Sequence, residues 1–170
     1  MVDISFIIVV VLLLGASTGN CKAQIVSDCV RSTPESARNI VCDVRQYRAV
    51  RTPESDRYVK CALTALGFVD EAGSVQRNVV LVALDAVETH DGVYTDSVDV
   101  CLSRSRKLPG AERPGAFYFC MLQTESAQNF QDALELQELK TASEWAQSEL
   151  FDRAKVQQKM REMNSKLQCK

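Results

Sequence analysis

Residue types that would mark an enzyme are scarce in this 170-residue chain. It has a single histidine, His90, and a serine or cysteine nucleophile would need that side chain as its base. No GxSxG turn and no glycine-rich phosphate loop occurs. We therefore predict that the protein is not an enzyme and uses no cofactor, and we interpret His90 as a polar residue in a loop that ends a helix.

An excess of charge of one sign is lacking too, and so are abundant helix breakers. Twenty basic and twenty-two acidic residues give a net charge of −2, so no overall field attracts nucleic acid or an anionic membrane. Seven glycines and four prolines exclude collagen-like and proline-rich architectures. Charged residues make up 25% and hydrophobic residues 46%, which is typical of a globular domain. Any binding function must come from a local site.

A single long apolar run occurs, near the amino terminus. Residues 4–14 are almost wholly apolar, but a membrane span needs about twenty such residues. Small residues follow, so we predict a signal peptide over residues 1–23, cleaved after Ala23 or, alternatively, after Gly19. A buried N-terminal helix is the other interpretation. Residues 24–170 are then a single secreted domain that does not enter a membrane.

Cleavage after Ala23 removes Cys21 and leaves six of the seven cysteines. An even number in a secreted chain indicates three disulfides. Six cysteines allow fifteen connectivities, and their spacing does not choose among them. No CxxC pair occurs and His90 is alone, so we predict no metal site. The six are Cys29, Cys42, Cys61, Cys101, Cys120 and Cys169.

Apolar residues spaced three and four apart predict an all-α fold of seven or eight helices. The letters Thr-Pro-Glu-Ser occur at 33–36 and at 52–55, and each indicates a helix start with threonine as N-cap and proline at the first helical position. Disulfides that join such helices would leave a ligand cavity between them. The predicted helices cover about residues 33–48, 52–66, 74–89, 95–104, 109–123, 126–141 and 142–167, the last as one helix or two.

Three acidic residues lie three apart on the predicted helix 126–141: Asp132, Glu135 and Glu138. The simplest interpretation is a solvated face. The alternative is that this helix is surrounded and that Glu135 and Glu138 line an internal pocket. Buried carboxylates without partners are costly, so such a pocket would favour a cation.

Three other candidate residues lie close to cysteines, where a disulfide holds the backbone rigid. Arg45 is three after Cys42, Tyr58 is three before Cys61, and Tyr118 lies in the aromatic run before Cys120. Arg45 could instead be a surface cation. Tyr118 could be a core residue whose hydroxyl binds the backbone.

The cysteine frame and its flanking sequences carry a family resemblance. Between successive cysteines stand 12, 18, 39, 18 and 48 residues, with CDVRQY at 42–47, KCALTALGFV at 60–69, AFYFC at 116–120 and LELQELK at 134–140. This pattern resembles the short-form D-seven salivary proteins of blood-feeding mosquitoes, a branch of the insect odorant-binding-protein superfamily. The resemblance covers essentially the whole predicted mature chain.

The resemblance implies an odorant-binding-protein-like bundle of about eight helices around a central ligand pocket. It also implies three disulfides. The implied pairs are Cys29–Cys61, Cys42–Cys169 and Cys101–Cys120.

Many members of that family bind the biogenic amines serotonin, histamine and noradrenaline, and so act as scavengers. The family's pocket arginine, tyrosine and two helix acids correspond to Arg45, Tyr118, Glu135 and Glu138. Three positions depart from the family pattern. The family's acidic residue after the first cysteine is Val30, its histidine before the third cysteine is Tyr58, and its aromatic residue before the first helix acid is Leu134.

The resulting expectation is a secreted, monomeric salivary protein that sequesters host biogenic amines to counter haemostasis and inflammation. Two alternatives stay open. One is inhibition of the contact pathway of coagulation through binding of host coagulation proteins, and the other is transport of an apolar or lipid ligand.

Overall fold

The computed structural model describes residues 25–87 and 93–169. Within these two ranges the chain forms eight α-helices and one short 3-10 helix, Glu35–Ala37. The predicted all-α class is thus confirmed. The helices are α1 (Val26–Arg31), α2 (Arg38–Arg45), α3 (Pro53–Ala65), α4 (Arg77–Asp85), α5 (Val93–Ser105), α6 (Arg113–Met121), α7 (Ala127–Thr141) and α8 (Arg153–Lys166).

The predicted signal peptide and the loop residue His90 lie outside the described residues. No helix in the described part of the chain is long and apolar enough to cross a membrane.

The second Thr-Pro-Glu-Ser segment starts a helix as predicted. The Thr52 hydroxyl accepts a hydrogen bond from the Ser55 amide at 3.1 Å, and the Ser55 hydroxyl accepts one from the Thr52 amide at 2.8 Å. Pro53 is the first residue of α3, where its missing N–H leaves nothing unsatisfied. This reciprocal capping box accounts for the start of α3.

The first Thr-Pro-Glu-Ser segment does not start an α-helix, so that prediction is wrong. The Thr33 hydroxyl donates to the Cys29 carbonyl at 2.8 Å and so serves the end of α1, a helix that the sequence patterns did not reveal. Pro34 precedes a single 3-10 turn, and α2 begins only at Arg38. The last carbonyls of α1 have no partner within that helix. One of them, the Cys29 carbonyl, binds the Thr33 hydroxyl, which is then not used to cap a new helix.

The boundaries of the later helices differ most from prediction after α7. The chain leaves α7 through Ser143, whose φ is 59°, and an irregular segment precedes α8. Trp145 anchors that segment, since its side chain is buried and its indole N–H donates to the Glu149 carbonyl at 3.2 Å. The run of good helix formers after Ala142 therefore produces one helix, which begins at Arg153 with Asp152 as its N-cap.

Three disulfides fasten the helices to one another in the pairing that the resemblance implies. Cys29–Cys61 joins α1 to α3, Cys42–Cys169 joins α2 to the residues after α8, and Cys101–Cys120 joins α5 to α6. In the chain-entropy model each is worth about 3–5 kcal/mol. The second also holds α8 against α2.

The hydrophobic core includes the contact between α3 and α6, and α7 packs against α4 and α8. The rings of Phe117 and Phe130 meet edge to face, with 5.9 Å between their centroids. Such contacts between α6 and α7 fix the face of α7 that points inward. That face positions the candidate site.

Candidate functional site

A small cavity of about 40 Å³ lies between α2, α3, α6, α7 and α8. Five of the six predicted ligand-binding residues line it: Arg45, Tyr58, Tyr118, Leu134 and Glu138. The rest of the wall is mostly apolar. It consists of Val26, Val44, Tyr47, Val59, Ala62, Leu63, Leu66 and Met160. The structure therefore brings five of the six predicted residues to one cavity, most of whose apolar wall was not predicted.

Arg45 occupies the centre of the polar side of the cavity. Its Nη2 donates to Glu138 Oε1 at 2.9 Å, and Nη1 reaches Oε2 of the same carboxylate at 3.4 Å. Nη1 also donates to the Tyr58 hydroxyl at 3.0 Å, and Nε donates to Asn164 Oδ1 at 2.6 Å. The interpretation of Arg45 as a surface cation is wrong, because only 3% of its side chain is exposed.

The surroundings of Arg45 keep it charged. Burial opposes the charge, but the neighbouring Tyr58 and Glu138 outweigh that effect and raise the pKa of the guanidinium above its ordinary value. Glu138 is itself only 10% exposed, and a buried carboxylate requires such a partner. Guanidinium and carboxylate thus form a fixed, internally neutral unit in the wall.

Two tyrosines complete the polar part of the wall, and both are buried. The Tyr118 hydroxyl donates to the Val44 carbonyl at 3.0 Å, so the backbone-bound role considered for it is present together with its place in the cavity. Burial raises the pKa of Tyr58 to about 12 and raises that of Tyr118 as well. Both hydroxyls are therefore neutral at physiological pH.

The acidic row of α7 is not a solvated face. Asp132 is buried, and Arg153 Nε donates to its Oδ2 at 2.8 Å. Glu138 is buried in the cavity with Arg45. Glu135, between them, is half-buried and is not part of the cavity wall, contrary to the prediction that it lines the pocket.

Glu135 differs electrostatically from its neighbours. Burial raises the pKa of its carboxyl to about 7, and repulsion from Asp132 adds to this effect. A hydrogen bond from the Tyr47 hydroxyl opposes the shift. Glu138 raises the pKa further while Arg45 lowers it. Near neutral pH this carboxyl is therefore divided between its acid and its anion.

The sequence analysis missed two polar residues of the site. Tyr47 lines the cavity and lies two positions after Arg45, within the CDVRQY motif, so its proximity was a usable signal. Asn164 lies on α8, 119 positions from Arg45, and nothing local in its surroundings indicates the contact. Conversely Val30, which departs from the family pattern, is fully buried in the core.

The charges of the site suit one cation. When Glu135 is ionised, its carboxylate, that of Glu138 and the guanidinium of Arg45 sum to −1. A single ammonium group would make the site neutral, and the carboxylate oxygens would accept its charge-assisted hydrogen bonds. Aromatic rings on two sides could pack against an attached ring.

The fold and cavity together define a small, disulfide-linked helical binding protein, and comparisons with known proteins agree. Residues 22–124 match the model of the PBP/GOBP family. Anopheles gambiae short form salivary protein D7R5 is 69% identical over 85% of this chain and 87% of its own length. Anopheles gambiae D7R3 is 31% identical over 86% of both chains.

A solved structure shows the same fold. The Anopheles gambiae D7R4–norepinephrine complex superposes with a TM-score of 0.77 at 28% identity, covering 85% of this chain and 99% of that one. The chain belongs to the PBP/GOBP family and, within it, to the short-form D7 salivary proteins of mosquitoes. This is a family of binding proteins, not of enzymes.

Proposed function

We propose that this protein is secreted in saliva and captures biogenic amines of the host, and so counters haemostasis and inflammation during blood feeding. The observation that carries the proposal is the cavity on α7, where Glu138 is buried and Glu135 lies one turn away with no guanidinium of its own bound to it in the described structure. The D7R4–norepinephrine complex, an amine complex of a relative with the same fold, supports it.

The two carboxylates would have different roles in binding the ammonium group. Glu138 already shares its charge with Arg45, yet each carboxylate oxygen has a further lone pair for an ammonium N–H. Glu135 would supply the uncompensated negative charge. The aromatic part of the amine would lie against Tyr58, Tyr118 and the apolar wall.

Such a site can bind a small amine with high affinity. A nanomolar complex requires about −12 kcal/mol. For an amine of roughly thirteen heavy atoms this is about −0.9 kcal/mol per atom, which is below the ceiling near −1.5 for small ligands. Serotonin, noradrenaline and histamine are the amines to test. The protein would act stoichiometrically, by lowering the free amine concentration.

The test is calorimetric titration of the disulfide-intact protein with these amines, using Glu138→Gln as the variant. We expect its affinity for serotonin to be about 10- to 100-fold weaker, because a charged acceptor is lost. Glu125→Gln is the matched control, since Glu125 is exposed just before α7. Unchanged affinity of Glu138→Gln, with Glu125→Gln also unchanged, would reject the assigned site.

A second candidate is a carrier of an apolar ligand, and the mostly apolar wall of the cavity favours it. Native mass spectrometry of the secreted protein would then show a co-purified lipid. In that case Glu138→Gln would leave lipid binding unchanged. Binding of coagulation proteins is the third possibility, and prolonged clotting that persists in Glu138→Gln would favour it.

A further inference from the structure

The cavity is too small for an aromatic amine unless a side chain moves. Its volume is about 40 Å³, whereas ligand pockets usually have about 300 Å³ or more. Tyr58 and Tyr118 are buried, and their hydroxyls are bound to Arg45 and to the Val44 carbonyl. Tyr47 is the half-buried aromatic residue of the wall. It is therefore the side chain best placed to move.

The backbone of Tyr47 has an unusual conformation for a tyrosine. Its φ is 57°, in the left-handed region, where it follows the end of α2. The Tyr47 amide donates to the Val44 carbonyl and the Arg48 amide donates to the Asp43 carbonyl, both at 2.9 Å. These bonds form a Schellman motif, whose left-handed position usually holds glycine. A tyrosine here places an aromatic ring at the cavity at some conformational cost.

The Tyr47 side chain reaches α7. Its hydroxyl lies 3.4 Å from the Gln131 carbonyl oxygen and hydrogen bonds to the Glu135 carboxylate. Gln131 and Glu135 are four positions apart and so share one face of α7. The phenol thus stands between the cavity and Glu135, which explains why Glu135 is absent from the wall.

We propose that Tyr47 is the gate of this site: every ligand must displace its side chain, so only a ligand with strong contacts of its own, such as an ammonium that takes the place of the hydroxyl at Glu135, binds measurably. This inference rests on the amine-binding function proposed above. An ammonium replaces a neutral hydroxyl donor with a stronger, charge-assisted one. A neutral ring offers only uncharged hydroxyl or indole N–H donors, which offset the lost contact less well than an ammonium does.

The experiment compares two ligands, serotonin and 5-hydroxyindole, which has the same ring system without the ammonium-bearing chain. Each is titrated into the disulfide-intact protein and into Tyr47→Ala, Tyr47→Phe and Ser143→Gly. Ser143 has the same left-handed backbone after α7 and does not line the cavity, so it controls for backbone strain. Near-ultraviolet circular dichroism checks that each variant is folded, and Tyr47→Phe preserves the ring if Tyr47→Ala does not fold.

We expect 5-hydroxyindole to bind Tyr47→Ala at least about tenfold more tightly than the unmodified protein, with a smaller gain for Tyr47→Phe. Serotonin must displace the same side chain, so its affinity should rise by a similar factor in Tyr47→Ala. Equal 5-hydroxyindole affinity in the unmodified protein and the folded Tyr47 variants would overturn the proposal. A similar gain in Ser143→Gly would overturn it as well.

The two proposals can fail separately. If serotonin binds neither the unmodified protein nor any variant, the amine-binding function is rejected. The gating role of Tyr47 is then decided by 5-hydroxyindole alone: a gain in Tyr47→Ala supports it and no gain rejects it.

Discussion

The two ends of the acidic row on α7 are built differently. At one end Asp132, whose side chain is 2% exposed, pairs with Arg153, whose side chain is 51% exposed and reaches it from the surface. At the other end Glu138 pairs with Arg45, which is 3% exposed and also bound to Tyr58 and Asn164. Glu135, between the two, interacts with a hydroxyl instead of a guanidinium.

This difference distinguishes the two acids that have an arginine partner from Glu135, which has none in the described structure. Glu138, already paired with Arg45, can offer an ammonium its remaining lone pairs but no uncompensated charge. A carboxyl whose pKa is raised to about 7 is only partly stabilised as an anion, so a ligand's ammonium can stabilise it further. Helix α7 thus carries both Glu138, which Arg45 holds in place, and Glu135, whose charge changes with pH and with ligand.

The largest effect should come from removing the arginine at each end. We expect Arg45→Met to lower the free energy of unfolding by about 3–5 kcal/mol, because it leaves Glu138 buried without a partner. Arg153→Met should cost less, about 1–2 kcal/mol, because buried Asp132 keeps the Gln128 amide as a hydrogen-bond donor and the lost arginine is half exposed. Urea unfolding with the disulfides intact measures both. Equal losses would show that the ends do not differ.

The pH dependence of binding is the next effect in size. Ammonium binding requires ionised Glu135, while alkylammonium ions stay protonated well above pH 8. Serotonin affinity should therefore fall by up to about tenfold as the pH falls from 8 to 6 through the carboxyl pKa near 7. Glu135→Gln should bind more weakly at pH 8 and show a flat profile. A profile that stays as steep in Glu135→Gln would assign the titration to another group.

A smaller effect concerns stability. The pKa of Glu135 rises from 4.5 to about 7 on folding, so the folded state holds the proton more tightly. The free energy of unfolding should consequently decrease as the pH rises from about 4.5 to about 7. Glu135→Gln should remove this decrease and be more stable than the unmodified protein at pH 8, by about 1 kcal/mol after allowance for solvent screening. Urea unfolding at pH 5 and 8 tests it, and Glu125→Gln should keep the decrease.

The end of α7 supplies the smallest effect. Ser143→Gly should stabilise the protein by about 0.5–1 kcal/mol, because glycine adopts the left-handed conformation without steric cost. Amine binding should not change, since Ser143 does not line the cavity. Thermal unfolding measures the gain. A change in affinity would mean that the end of α7 also shapes the site.

Most of this architecture was predicted from the sequence, because the helical period of apolar residues and the spacing of the cysteines can be read directly from the chain. The exceptions have identifiable causes. The short helix α1 is too brief for a periodic pattern, and it diverts Thr33 from the capping role that Thr52 performs with the same four letters. The two Thr-Pro-Glu-Ser segments have the same local propensity to start a helix. That propensity does not show that the threonine of the first segment binds a carbonyl at the end of a preceding helix.

The residues of the candidate site were predicted more completely than the contacts among them. The family resemblance and the acidic spacing on one helix indicated Arg45 and Glu138, but the contact between Arg45 and Asn164 spans 119 positions and depends on the packed fold. Tyr47 was missed although it lies in the CDVRQY motif, and no propensity predicts the left-handed backbone at this tyrosine.

The Cys42–Cys169 disulfide has a consequence for how the cavity forms. It joins residues 127 positions apart, and it holds α8 where Asn164 can bind Arg45. The cavity therefore depends on contacts that join distant parts of the chain, and the amino-terminal helices cannot form it by themselves. Without α8, Arg45 would lack its contact with Asn164 and the cavity would lack the part of its wall that Met160 supplies.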